Sequence, residues 1–187
     1  VMFDGAQMRD YTAIMDNPRK WLQGQQPARS PAQLELTAIA LSRLAYGDQR
    51  LENAAWVEQN WEGVLPKPYM EWVWSQFGLV AALNVELDAA RWYRKSGNFH
   101  MTDYNHAWQV RAELRQPEID WGHVAQAIRR MSARQAAEPV WVYWYARALN
   151  AQGKQQVAND HYRSIAGDLS FYGQLASEEL GRPQALP

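Results

Sequence analysis

Paired helices that recur at a spacing in the mid-thirties constrain this chain more than any other feature. Leu51-Glu52-Asn53-Ala54-Ala55-Trp56 and Leu87-Asp88-Ala89-Ala90-Arg91-Trp92 share a Leu-acid-x-Ala-x-Trp pattern at an offset of 36 residues. Apolar anchors recur at Val124 and Val157, in steps of 37 and 33, and Tyr162 keeps an aromatic five residues after the last of them; Arg129 stands there in the third unit. A two-helix unit of that length cannot bury its open face alone, so it stacks on the next. The expected fold class is all-α, a right-handed α-superhelix or solenoid of stacked helical hairpins, tetratricopeptide-like in character.

Apolar residues fall at helical spacing along nearly the whole chain, and no run alternates convincingly as a strand would. Ser30-Pro31 supplies a cap and a first-turn proline for a helix that carries Leu34, Thr37, Ala38, Leu41 and Ala45 and stops at Gly47. Its partner carries Leu51, Ala54, Trp56, Val57 and Trp61 to Gly63. The segment from Tyr69 to Asn84 and the run Trp141-Val142-Tyr143-Trp144-Tyr145-Ala146-Arg147-Ala148-Leu149 are apolar on more than one face, so both are expected to be covered on several sides. Between them, helices are expected around Leu87–Tyr93, Tyr104–Leu114 and Trp121–Met131. After Gly153 a helix carries Val157, Ala158, Tyr162 and Ile165, and Phe171-Tyr172-Gly173 begins the last one.

Composition narrows the function. Nineteen basic and twenty acidic side chains leave a net charge of -1, so the basic footprint that nucleic acid selects is missing. No cysteine is present, which excludes thiolate metal sites, disulfides and a cysteine nucleophile. No stretch reaches the roughly 18 uninterrupted apolar residues of a membrane span, and Val1-Met2-Phe3-Asp4-Gly5 has no signal-peptide pattern. Ten Trp and nine Tyr against four Phe suit either the packing of stacked hairpins or the faces of sugar rings.

Local motifs for catalysis are absent: no Gly-x-Ser-x-Gly, no phosphate loop and no dinucleotide fingerprint. His100 and His106, with Asp103 between them, lack metal-ligand spacing and a third ligand, so surface or capping roles are expected; His123 and His161 stand alone. Glu178-Glu179 point in different directions on a helix, and Glu118 and Asp120 fit a helix N-terminus. No cofactor and no metal is expected. Arg147 is the most informative charge, a cation inside an aromatic helix that stacks on rings or pairs with a carboxylate across the stack. With Trp141, Trp144 and Tyr145 it forms the candidate ligand or packing set.

The C-terminal third carries a resemblance. Trp121, Ile128-Arg129-Arg130-Met131, Glu138-Pro139 with the Trp141–Leu149 run, Gly153, Tyr162 and Ser170-Phe171-Tyr172-Gly173-Gln174-Leu175-Ala176-Ser177-Glu178-Glu179-Leu180-Gly181 together resemble the superhelical region of the soluble lytic murein transglycosylases. Residues 1–120 agree with that family mainly in their helical-hairpin character. The resemblance implies a periplasmic bacterial enzyme whose helical ring precedes a lysozyme-like domain. In the family that domain cleaves the MurNAc–GlcNAc bond of peptidoglycan to a 1,6-anhydro product, one glutamic acid serving as acid and then base. The family's catalytic Glu-Ser pair and Gly-Leu-Met-Gln segment occur nowhere here, and Ser177-Glu178 has the reverse order, so no residue of this chain takes that role.

On this reading residues 1–187 are an α-superhelical fragment without the lysozyme-like domain. The fragment shapes the ring, holds murein and contacts other cell-wall enzymes. The alternative is a tetratricopeptide-like adaptor for a protein or peptide, with no enzymatic role. Direct sugar binding by the aromatic residues is a third possibility.

Overall fold

Every regular element among the described residues is an α-helix, as the period requires. The computed structural model describes residues 4–25 and 30–182. Contacts divide the chain into two compact units, residues 1–100 and 101–187.

In the first unit, residues before Ser30, for which the period makes no prediction, contain helices α1 (Gly5–Asp16) and α2 (Pro18–Gln23). Asp4 caps α1 by accepting from the backbone of Ala6 and Gln7, and Gln7 returns the bond to the Asp4 N–H at 2.8 Å. The same reciprocal cap, Ser30 with Gln33, opens α3 (Pro31–Arg43) with proline at its first position. Gly47, at φ 101°, turns the chain into α4 (Arg50–Trp61). The long α5 (Lys67–Leu83) packs against both α3 and α6 (Asp88–Lys95), which explains why it is apolar nearly all round. Its side chains Val73, Trp74 and Phe77 are fully buried, as are Trp92 and Tyr93 of α6, and Phe77 meets Trp92 edge-on.

The buried residue at the repeat spacing is not the one the anchors suggest. Leu51, Leu87 and Val157 are 58%, 53% and 47% exposed, and only Val124 is buried. Each of the three lies at or within the first turn of its helix, on the face turned away from the packed neighbours. The inward residue is alanine, at 54, 90 and 127, each buried. Charge pairs also follow the repeat: Glu58 on α4 meets Arg91 at 2.9 Å and Lys95 at 3.3 Å, and Glu62 meets Lys95 at 2.9 Å. Partly exposed pairs of this kind are worth about 0–1 kcal/mol each, so alanine and ring burial does more of the stacking.

The second unit contains α7 (Asp103–Leu114), α8 (Trp121–Arg129), the four-residue α9 (Ala133–Ala136), α10 (Pro139–Ala151), α11 (Gln155–Ile165) and α12 (Phe171–Glu179). Polar side chains start most of them: Thr102, Asp120, Ser132 and Ser170 cap α7, α8, α9 and α12. The α8 helix ends two residues before Met131, and α9, too short to show a period, fills the gap before α10. Arg134 of α9 pairs with Asp103 at 2.8 Å and holds that carboxyl below the usual carboxylate range. His106 departs from the expected surface role: it is buried on α7, 1% exposed. His100 is exposed, and His123 lies 3.0 Å from Asp120.

Candidate functional site

Helix α10 is the centre of the second unit because two cores cover it from opposite sides. Trp141 and Ala148, seven residues apart and so on one face, join Val110, Val124, Ala125 and Ile128. Tyr143, Ala146 and Leu149 turn the other way and join Ala158, Tyr162, Ile165 and Ala176. Trp144 and Tyr145 pack at the border of both clusters.

The sequence candidates therefore separate. Trp141 is 3% exposed, with the Arg111 guanidinium 5.4 Å from its ring centre, and serves as a core residue. Trp144 is half-buried and meets Tyr143 edge-on at 5.4 Å. Tyr145 meets His161 edge-on at 5.2 Å, and the two share a groove of about 350 Å³ with Arg129 and Val142. Arg147 leaves these three and points to α12.

Both interactions considered for Arg147 are present. Its Nη1 lies 3.1 Å from Glu179 Oε1 and donates to the Tyr143 hydroxyl at 3.1 Å, while the guanidinium lies 5.9 Å from the Trp121 ring centre. Tyr143 in turn donates to Glu179 Oε1 at 3.2 Å. A cation, a phenol and a carboxylate thus close a small network that ties α10 to α12. Spacing alone could not show Glu179 as the partner, since it stands 32 residues away. Glu178 is exposed and outside this network. The two neighbouring carboxylates do not converge, so they offer no acid–base pair for glycoside chemistry.

Tyr162 lies behind the network, 1% exposed, and its hydroxyl meets no protein hydrogen-bond partner. Burial pushes the phenols of Tyr143 and Tyr162 upward, and the Glu179 charge adds to the effect. An unfolded tyrosine ionises near pH 10, so the folded chain retains protons that the unfolded chain releases. Stability from these two residues is complete below that pH and is lost as pH rises through the higher folded values. Tyr162→Phe should flatten this alkaline loss and change stability at pH 7 by no more than about 1 kcal/mol, because the hydroxyl it removes is unpaired. Urea unfolding at neutral and alkaline pH measures both. An unchanged alkaline slope would contradict the assignment.

A second concave surface lies in the first unit, and the sequence pattern does not reveal it. Glu35 and Ile39 of α3, Tyr69 and Trp72 of α5, and Phe99 line a groove of about 320 Å³. Its two helices supply residues about one repeat apart, with no short motif between them. Among the described residues no cluster of three His, Asp or Glu side chains is placed to hold a metal ion, and no helix is long and apolar enough to cross a membrane.

Among the described residues the protein is all-α, with a polar network joining α10 to α12 and an open groove in each unit. No family model matches the sequence, and no curated protein matches it. Among solved structures it is similar to an inactive mutant of the lytic transglycosylase Slt from Pseudomonas aeruginosa, with a TM-score of 0.68 and 26% sequence identity. The match covers 96% of this chain and 29% of that one, so the chain spans less than a third of its neighbour's length.

Proposed function

We propose that this chain is part of the superhelical, non-catalytic region of a cell-envelope lytic transglycosylase, acting on peptidoglycan in the periplasm. The carrying observation is the likeness to the Pseudomonas enzyme over nearly the whole of this chain and a minor share of that one. The Trp141–Leu149 helix and the Phe171–Gly181 ending support it, because both belong to the resemblance and both pack into one core in the second unit. The work of the chain is to shape the ring and hold murein strands near a separate lysozyme-like domain. It also offers surface to other cell-wall enzymes.

Glu179 is occupied by Arg147 and Tyr143, and no catalytic role is given to any residue here. Purified chain should co-sediment with isolated murein sacculi and release no 1,6-anhydromuropeptides from them. Failure to co-sediment, with tight binding to a protein partner instead, would favour the tetratricopeptide-like adaptor.

A further inference from the structure

Tryptophans in this chain repeatedly carry a cation over the ring. Arg19 covers Trp56 at 4.7 Å, Lys95 covers Trp74 at 4.8 Å and Arg111 covers Trp108 at 5.0 Å. Arg147 does the same for Trp121 at 5.9 Å. In two cases the cation also meets a carboxylate: Lys95 meets Glu58 and Glu62, and Arg147 meets Glu179. Ring face and carboxylate favour the same positive charge, and the aliphatic stem covers apolar surface.

The groove of the first unit has the ring and the carboxylate without the cation. Trp72 and Glu35 line it together, and neither has an ion pair or cation–ring contact among the described residues. Glu35 is half-buried and is the one charged group in the lining; Tyr69, Phe99 and Ile39 make the rest aromatic or aliphatic. A pyranose would leave several hydroxyls unpaired against such walls, whereas an alkylammonium needs one carboxylate, one π-face and an apolar channel for its methylenes.

We infer that this groove binds the alkylammonium side chain of a diamino residue, with the ammonium held between Glu35 and Trp72 and its stem along Ile39 and Phe99. Resting on the murein reading above, the ligand is the diamino acid of a peptidoglycan stem peptide.

The test is a titration of the 187-residue chain with the tripeptide L-Ala-γ-D-Glu-L-Lys, free or acetylated at the ε-amine, followed by calorimetry. The free peptide should bind, and acetylation should weaken it about tenfold. Glu35→Gln and Trp72→Ala should each weaken the free peptide by a similar factor, and Tyr104→Phe, at an exposed position of the other unit, should leave it unchanged. Equal affinity for the two peptides, no saturable binding, or an unaffected Glu35→Gln variant would overturn the proposal. Sacculus co-sedimentation run in parallel separates the two readings. Sedimentation without amine dependence removes the groove and keeps murein; amine-dependent peptide binding without sedimentation keeps the groove and removes murein as its source.

Discussion

Gly173→Ala should destabilise the chain by about 2–4 kcal/mol, although alanine ordinarily favours a helix over glycine by about 1 kcal/mol. Gly173 is the third residue of α12, and a Cβ there would lie 2.3 Å from the Asp168 carbonyl oxygen and 2.9 Å from that of Ile165. Both obstacles are backbone, so neither can swing aside, and α12 itself must move. That movement draws Ala176 out of the core and Glu179 away from Tyr143 and Arg147. The glycine of the Phe-Tyr-Gly motif thus allows the closest approach of α12 to the turn after α11. Urea unfolding followed by circular dichroism measures the loss; a change below about 0.5 kcal/mol would show that the turn accepts a side chain.

Trp92→Ala should cost about 3–5 kcal/mol, the range for emptying a buried aromatic site. Trp92 is 1% exposed and meets Phe77 edge-on at 5.5 Å between ring centres. The matching residue one repeat earlier, Trp56, is half-buried and lies under Arg19, so Trp56→Ala should cost only about 1–2 kcal/mol. Thermal and chemical unfolding of the two variants side by side would check the difference. Equal losses would mean that the two repeats bury their rings alike, against the structure.

The helices were legible where local chemistry and period agree. Ser30-Pro31 opens α3 as the cap rule requires, and Gly153, at φ 76°, separates α10 from α11. The all-round apolar pattern of α10 has its reason in two cores on opposite faces. The face of the repeat was less legible. Leu51, Leu87 and Val157 keep the spacing yet are exposed, while the buried Ala54, Ala90 and Ala127 do the close packing, since small side chains let neighbouring helices approach.

At the candidate site, Arg147 could be singled out from its own helix. Its partners Glu179 and Trp121 come from two other helices and emerge only once α8, α10 and α12 are assembled. The Glu35–Trp72 groove was invisible for the same reason, since α3 and α5 each contribute residues that look ordinary alone.

We propose above that this chain supports cleavage of murein without performing it. Mass spectrometry of material released from sacculi, by this chain and by the product of the full reading frame that encodes it, tests this most directly. The expected result is 1,6-anhydromuropeptides from the full product and none from the 187 residues. Anhydro products from this chain alone, or none from the full product, would contradict it.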